Sequence, residues 1–227
     1  MKRQRHLLVC AATISISLCI SFNLQSTEKS GRIFGPGPSH PGTIGKSAAK
    51  ATQTLKVAVA QPMVIPGDLV MNTKNMAPLV TEAAKRGAEL VVFSECGITG
   101  YDLKGIGARA AIPLEAPILN DIAKLARSHD ITIVAGFHER LGDKIYISAA
   151  VFYPDGRRII QRKHTVPGPE KGIPSITPGE RKRTLFNIKG FRCAILICSD
   201  AGISGIYEEL AGAGVNAIIL ITAGAGN

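Results

Sequence analysis

Short apolar runs alternate with helical segments through most of this chain, and that alternation limits its possible folds more than any other feature. The run "LKVAV" (55–59) alternates as a strand does, and "ELVVFSE" (89–95) and "ITIVAGF" (131–137) are typical of short buried strands. Apolar residues with helical spacing fill residues 72–86 and 117–130 between them. The order strand–helix–strand–helix–strand predicts an α/β layered protein with a mostly buried mixed sheet.

The second half of the chain adds hairpins to this pattern. The stretch "IYISAAVFYPDGRRIIQRKHTV" (145–166) predicts two strands around Pro154-Asp-Gly156, where glycine supplies a positive φ. A loop rich in Pro and Gly follows over residues 167–180. Residues 183–198, "RTLFNIKGFRCAILIC", predict two more strands across Lys189-Gly190, after which a helix and a strand close the chain.

The N-terminal part of the chain is predicted to be a targeting segment and a linker. A basic start precedes residues 7–22, an uncharged apolar run that is short for a membrane span of about 20 residues and suits a signal-peptide core. A clean cleavage site is missing, so an uncleaved membrane anchor stays open. Residues 23–54 are rich in Ser, Gly, Pro and Lys and predict a disordered linker. We therefore expect an exported or membrane-tethered protein whose domain spans residues 55–227.

The positive charge of the chain does not indicate a nucleic-acid partner. The formal net charge is +10, of which residues 1–54 carry +6 from seven Lys or Arg and one acid. Residues 55–227 carry the remaining +4, and their basic runs at 157–158 and 181–183 lack interleaved aromatic side chains. The sequence predicts a solvated basic surface and no nucleic-acid binding.

The cysteines of the domain do not predict a metal site. Of five cysteines, Cys96, Cys193 and Cys198 fall within the domain, and an odd number leaves at least one thiol without a partner in the same chain. No Cys or His cluster has zinc-ligand spacing, and the glycine-rich stretches lack the pattern of phosphate loops. We expect no metal and no organic cofactor.

Three apolar runs end on, or next to, a reactive side chain. "LVVFSE" ends on Glu95, "RRIIQRK" on Lys163 and "AILIC" on Cys198. In layered α/β folds the carboxyl ends of strands open into the ligand crevice. Taken singly, each residue has a plainer reading as a solvated strand end, a surface cation or a buried thiol. Together they suffice for acyl transfer from nitrogen to sulfur and then to water, because a thiol needs a base and the resulting charge needs a cation.

Four motifs of the domain resemble the nitrilase superfamily of carbon–nitrogen hydrolases. "LKVAVAQ" resembles the opening strand of that superfamily, and "VVFSECGITGYD" resembles its glutamate motif, F-P-E-x-x-x-T-G-Y. "SAAVFYPDGRRIIQRKHTV" resembles its hairpin and lysine motif, and "ILICSDAG" resembles its cysteine motif, I-C-Y-D or I-C-E-D. The four occur in the order and with the separations of the superfamily, so the resemblance covers residues 55–227.

The resemblance implies an α-β-β-α sandwich and a Glu–Lys–Cys triad. Matched motif by motif, Glu95 is the general base and acid, Lys163 stabilises charge and Cys198 is the nucleophile. The backbone N–H of Ser199 would complete the oxyanion site. Members commonly pair, which implies a homo-oligomer.

The same resemblance implies residues that shape the substrate site. Many members carry a second glutamate after the lysine, and Glu170 is the best match, with Glu180 as the alternative. Tyr101 is expected to pack under the glutamate loop.

Some departures from the motifs bear on specificity. Ser94 stands where proline is usual, Cys96 lies beside the expected base, and "AGISGIYEEL" replaces an aromatic-proline-glutamate turn. Members also continue for several tens of residues past the strand that "AIILITA" resembles, whereas this sequence stops at Asn227. We therefore expect a C-terminally incomplete version of the fold.

The expected activity is hydrolysis of a non-peptide C–N bond in a small amide, carbamoyl compound or nitrile, with amide chemistry favoured over nitrile chemistry. Two alternatives stay open at this point. One is a non-catalytic binding or scaffold domain derived from an incomplete hydrolase fold. The other is an N-acyltransferase, whose relatives carry several membrane spans.

Overall fold

Two β-sheets and four α-helices make up the computed structural model, which describes residues 54–168, 170–173 and 176–223. The first sheet contains β1 (Val57–Val59), β2 (Leu90–Val92), β3 (Thr132–Leu141), β4 (Lys144–Phe152) and β5 (Arg158–Arg162). The second contains β6 (Leu185–Ile188), β7 (Phe191–Ile197) and β8 (Ala217–Ile221). The helices are α1 (Leu69–Lys85), α2 (Ile106–Arg109), α3 (Pro117–Ser128) and α4 (Ile206–Gly212). The predicted targeting segment and nearly all of the predicted linker lie outside the described residues.

Both sheets are mixed. In the first, β1, β2 and β3 run parallel, and β3, β4 and β5 run antiparallel in the order β1-β2-β3-β4-β5. In the second, β6 pairs antiparallel and β8 pairs parallel with the central strand β7. The carboxyl ends of β2 and β7 both carry a residue predicted for the site, and the β4–β5 hairpin delivers Lys163 directly after β5.

The two sheets pack face to face, with helices on their outer faces. Val134 and Val151 of the first sheet meet Ile195 and Ile197 of the second in one apolar layer. Side chains of α1 and α3 cover the other face of the first sheet, and α4 packs Leu210 against the outer face of the second. Burial of each such side chain stabilises the fold by about 1.5–3 kcal/mol. The predicted α-β-β-α sandwich is confirmed.

Two of the three described hairpins lie where the turn residues of the sequence predict them. Gly156 has φ +91° in the β4–β5 turn, and Lys189 and Gly190 have φ +47° and +83° between β6 and β7. Positive φ at both central residues is typical of a two-residue hairpin loop. A third hairpin joins β3 to β4 across Gly142 and was not predicted, because its Gly-Asp turn lies between two apolar stretches that were interpreted separately.

The boundaries of α1 differ from the prediction for a local reason. The helix begins at Leu69, before the expected residue 72, because the Asp68 carboxylate accepts the Met71 N–H at 3.0 Å and caps the first turn. Within the part of the chain that the structure describes, no helix combines the length and the apolar character that a bilayer crossing requires.

Candidate active site

Glu95 lies in a tight turn that follows β2. The turn is held against β3 by backbone bonds, in which Gly136 donates to Ser94 at 3.2 Å and Ile98 donates to Gly136 at 3.0 Å. The next residue, Cys96, has φ +55°, a strained conformation for a residue with a side chain. These contacts fix a carboxylate whose side chain is only 1% exposed.

The Lys163 ammonium group joins Glu95 to Glu170. Its Nζ donates to Glu95 Oε1 at 2.9 Å and to Glu170 Oε1 at 2.6 Å, and its side chain is 2% exposed. Burial opposes the positive charge, but the two carboxylates outweigh it and raise the pKa of Lys163 above its usual value. Lys163 is therefore a fixed cation at the centre of the site.

Glu170, the residue that the sequence matched to the second glutamate, contacts Lys163 from the loop that follows it. It begins a 3-10 turn (Glu170–Gly172), is buried, and its Oε1 also accepts the Tyr101 hydroxyl at 3.3 Å. Burial raises the pKa of its carboxyl group despite the hydrogen bond from Lys163. Among the atoms that the structure describes, Glu170 Oε2 is buried without a hydrogen-bond partner. Glu180, the sequence alternative, is exposed and does not contact Lys163.

Cys198 stands where the central strand of the second sheet ends. It begins a 3-10 turn (Cys198–Gly202) with φ +49°, and its side chain is partly exposed, unlike Cys96 and Cys193. A backbone outlier for a residue with a Cβ is a strain that the surrounding contacts must hold. The structure thus presents one thiol at the edge of the sandwich in a constrained orientation.

The Cys198 thiol lies within hydrogen-bond reach of Glu95 and of the Ser199 backbone N–H. Burial and the negative charge of Glu95 raise its pKa, while Lys163 and the Ser199 N–H lower it, and the net direction is upward. The group is therefore a neutral thiol near pH 7, and Glu95 is placed to accept its proton when it reacts.

Backbone contacts from the second sheet complete the surroundings of Glu95. The Ala223 N–H, two residues after β8, donates to Glu95 Oε2 at 2.9 Å. Each carboxylate oxygen of Glu95 thus has a partner, one from the first sheet and one from the second. The sequence could not indicate this contact, which joins residues 128 positions apart.

A buried group behind Glu95 was also missed by the sequence patterns. His138 of β3 lies 2.8 Å from Thr99 Oγ1 through Nδ1 and 3.7 Å from Cys96 Sγ through Nε2. Burial lowers the pKa of His138 to about 4, and burial together with Glu95 raises the pKa of Cys96 well above its usual value. Both groups are neutral near pH 7, and they support the Glu95 turn from behind.

Asp200 is the other functional candidate that was missed, although the cysteine motif quoted from the sequence contains it. Its buried carboxylate accepts hydrogen bonds from the two residues that follow Lys163. Within the described residues no group of His, Cys, Asp and Glu side chains is arranged to hold a metal ion. The site therefore offers a thiol, a base, a cation and backbone N–H donors.

Comparison with known proteins identifies a family from the sequence. The model of the carbon-nitrogen hydrolase family matches residues 56–225. An arylacetonitrilase of Aspergillus niger is 32% identical over 143 residues, which cover 58% of this chain and 40% of that protein. An aliphatic nitrilase of Rhodococcus rhodochrous is 29% identical over 130 residues, which cover 51% of this chain and 36% of that protein.

Solved structures agree with the fold. An amidase from Nesterenkonia sp. superposes with a TM-score of 0.68 at 22% identity, covering 76% of this chain and 66% of the amidase. The chain thus spans about two fifths of the length of the Aspergillus relative and two thirds of the amidase.

Proposed function

Because the chain belongs to the carbon-nitrogen hydrolase family, as its match over residues 56–225 shows, we propose that it hydrolyses the C–N bond of a small amide through an acyl intermediate on Cys198. The observation that carries this proposal is the meeting of four groups around one thiol. Glu95 and the Ser199 N–H lie within hydrogen-bond reach of the Cys198 thiol. Lys163 is bonded both to Glu95 and to Glu170.

The first half of the proposed reaction forms the acyl enzyme. Glu95 takes the proton of the Cys198 thiol as its sulfur attacks the carbonyl carbon, which forms an S–C bond and places negative charge on oxygen. The Lys163 ammonium and the Ser199 N–H are placed to stabilise that charge. Glu95 then returns the proton to the leaving nitrogen, the C–N bond breaks, and ammonia or an amine departs.

The second half uses water and the same carboxylate. Glu95 accepts a proton from water as the water oxygen attacks the thioester carbon. The C–S bond then breaks, and the Cys198 sulfur regains the proton from Glu95. The product is a carboxylic acid, and no redox partner or cofactor enters the balance. The raised pKa of Cys198 fits this sequence, because proton transfer to Glu95 accompanies attack.

Glu170 supports an amide as the substrate. Its Oε2 is a buried carboxylate oxygen that lacks a partner among the described atoms, and such an atom calls for an N–H donor. A primary amide or a carbamoyl compound supplies that N–H on the nitrogen that leaves. A nitrile has no hydrogen on its nitrogen and leaves the oxygen unpaired until the first water or thiol has added.

Nitrile hydrolysis is the second candidate, favoured by the sequence relatives. The Aspergillus and Rhodococcus proteins are nitrilases by name. In a mutant of the structural neighbour from Nesterenkonia, the acetamide moiety of fluoroacetamide is covalently added at the active-site cysteine, so that protein's thiol acts as a nucleophile toward a small compound that carries an amide. A nitrile would pass through the same thiol with a thioimidate in place of the first tetrahedral adduct.

Paired substrates test the proposal. Purified full-length protein is given phenylacetamide or phenylacetonitrile, and release of ammonia and of phenylacetic acid is measured for the wild type, Glu95→Gln and Glu180→Gln. We expect hydrolysis of the amide, a loss of about 10²–10⁴-fold in kcat for Glu95→Gln, and near-unchanged turnover for Glu180→Gln, because that carboxylate is exposed. Activity on the nitrile alone would select the second candidate.

The thiol provides an independent readout in the same variants. Since Glu95 raises the pKa of Cys198, Glu95→Gln should lower the apparent pKa for alkylation of Cys198 while it removes hydrolysis. Hydroxylamine added during turnover should yield a hydroxamate from the acyl enzyme. Undiminished hydrolysis in Glu95→Gln, or no turnover of any amide or nitrile by a folded wild type, would overturn the proposal, and the latter result would favour the scaffold alternative.

A further inference from the structure

Asp200 is bonded to the segment that carries Lys163. Its Oδ1 accepts the His164 N–H at 3.0 Å, the Thr165 N–H at 3.0 Å and the Thr165 hydroxyl at 2.9 Å, and its Oδ2 lies 3.1 Å from the His164 N–H. Thr165 Oγ1 also lies 2.5 Å from Ser199 Oγ. His164 and Thr165 directly follow Lys163, and Ser199 and Asp200 directly follow Cys198.

These bonds connect two segments that belong to different sheets. Lys163 follows β5, the last strand of the first sheet, and Cys198 follows β7, the central strand of the second. No backbone ladder joins β5 to β7. The carboxylate of Asp200 is 1% exposed, and a buried carboxylate requires hydrogen bonds to offset its lost hydration. Its donors are therefore held tightly, as charge-assisted bonds are shorter and stronger than neutral ones.

We propose that Asp200 is a positioning residue, which latches the lysine segment to the cysteine turn and so sets the placement of the Lys163 ammonium and the Ser199 N–H around the Cys198 sulfur. This inference rests on the proposed function, in which those two groups stabilise negative charge. We call residues 163–165 and 198–200, joined in this way, the Asp200 latch.

The remaining contacts of Lys163 show why the latch matters. The Lys163 backbone is already fixed to its own side of the molecule, with its N–H on Ile147 O at 2.8 Å and its carbonyl accepting from Gly179 at 2.7 Å. Its ammonium is fixed by Glu95 and Glu170. Within the part of the chain that the structure describes, the cysteine turn is joined to these residues by the latch and by the contact of Cys198 with Glu95. Loss of the latch should thus move Cys198 and Ser199 away from Lys163.

The reactivity of the Cys198 thiol reports this displacement without a substrate. Lys163 and the Ser199 N–H both lower the pKa of Cys198, whereas burial and Glu95 raise it. The charged and titratable groups around the latch are Glu95, Lys163 and Cys96 on the Cys198 side and the His164 ring and the Arg183 guanidinium on the Asp200 side. Because Lys163 is bonded to Glu95, a displaced Cys198 leaves both groups, and since burial and Glu95 outweigh Lys163, its apparent pKa should shift downward toward the ordinary value.

The experiment is the rate of Cys198 alkylation by iodoacetamide against pH, measured by peptide mass spectrometry on the full chain. Asp200→Asn keeps the size of the side chain but turns one acceptor into an N–H₂ donor that faces the donors of His164 and Thr165. Thr165→Val removes the two contacts of the hydroxyl, with Asp200 Oδ1 and with Ser199 Oγ, and keeps the carboxylate. A downward shift of one pKa unit raises the thiolate fraction near pH 7 about tenfold. We expect a downward shift of the profile and faster alkylation near pH 7 for Asp200→Asn, and a smaller shift in the same direction for Thr165→Val.

A matched control separates positioning from general destabilisation. Tyr153→Phe removes a partly buried hydrogen bond to the Asn187 carbonyl, 3.0 Å long, in the turn between β4 and β5. It should lower the melting temperature and leave the Cys198 profile where it was. The Asp200→Asn profile should shift in protein that is shown to be folded by circular dichroism at the temperature of the assay.

The outcomes distinguish the latch from the function on which it rests. The latch is overturned if folded Asp200→Asn and Thr165→Val both keep the wild-type pH profile of Cys198 alkylation. The proposed function stands in that case, provided that Glu95→Gln changes the profile. A wild-type Cys198 that reacts no faster than the buried Cys193, whose pKa is raised to about 11, would overturn the function itself. If Asp200→Asn does not fold, the Thr165→Val profile decides.

Discussion

The two sheets of this molecule differ in how fully they are covered. In the first, β3 and β4 are buried along almost their whole length, between helices on one side and the second sheet on the other. In the second, β8 is an outer strand whose Ile218 and Leu220 are 40% and 50% exposed. The helix α4 packs on the outer face of this sheet against β7. One half of the sandwich is thus dense and the other is open at its edge.

The site draws on both halves unequally. Glu95, Lys163 and Glu170 are fixed by the first sheet and its loops, and they form the buried ion-pair cluster. Cys198 and the Ala223 N–H come from the second sheet. The difference teaches that Glu95, the proposed base, and the Lys163 ammonium are held rigidly, whereas Cys198, the proposed nucleophile, is coupled to them through a few polar bonds. Substitutions in the two halves should differ accordingly.

The largest effect is expected at Gly136 in β3. A Cβ at this position would lie 2.5 Å from the Cys96 backbone nitrogen and 2.8 Å from the Glu95 Cα, and backbone atoms cannot move aside cheaply. Gly136→Ala should lower the free energy of unfolding by about 3 kcal/mol or more and displace the Glu95 turn. Urea unfolding followed by circular dichroism measures the loss.

The same substitution in the open half gives the contrast. A Cβ at Gly212, the last residue of α4, would meet nothing within 4 Å, and its φ is not positive. Gly212→Ala should stabilise the protein by up to about 1 kcal/mol, because alanine has the higher helix propensity. Equal losses for Gly136→Ala and Gly212→Ala would mean that the two halves are equally tightly packed.

The sequence predicted the elements of the dense half better than the contacts that make the site. Alternating apolar residues and the Pro154-Asp-Gly156 turn are local signals, so the order of strands and helices could be predicted from windows of a few residues. The bond from Tyr101 to Glu170 joins positions 69 residues apart, and no local pattern encodes it.

Burial was the second limit on prediction from sequence. His138 directly follows the predicted apolar strand 131–137, and its role behind Glu95 depends on Thr99, which is 39 residues away. The choice between Glu170 and Glu180 likewise rests on which carboxylate the Pro/Gly-rich loop turns inward, and two glutamates ten positions apart in a loop cannot be separated by composition. The motifs identified the residue types, and the packing of the sandwich selects among them.

The next largest effect is the acid sensitivity that His138 gives to the dense half. Burial lowers its pKa in the folded protein to about 4, against an ordinary value of 6.5. Between these values the unfolded chain binds a proton that the folded protein does not, so stability falls as pH falls from about 6.5 to about 4. The full difference is about 3 kcal/mol.

The variant His138→Gln isolates that contribution, because glutamine retains hydrogen-bonding groups for Thr99 and has no proton to gain. Its stability should decline less between pH 6.5 and pH 4 than that of the wild type, as measured by urea midpoints across the range. Carboxyl groups titrate in the same range, and they cancel in the difference between the two proteins. Parallel curves for wild type and variant would show that His138 is not held neutral.

The smallest effect is expected at Leu220, which pairs with Leu196 across β7 and β8 and so lies on the same face of the second sheet. Leu220 is 50% exposed, whereas Leu196 is fully buried against α4. Leu220→Lys should change the free energy of unfolding by no more than about 0.5 kcal/mol, while Leu196→Lys should unfold the second sheet because it buries an unpaired charge. A lysine on an outer strand also opposes edge-to-edge pairing, so Leu220→Lys should reduce self-association in light scattering at high concentration. If Leu220→Lys instead costs as much stability as Leu196→Lys, the outer face of β8 is covered in solution, and the contrast between the dense and the open half no longer holds.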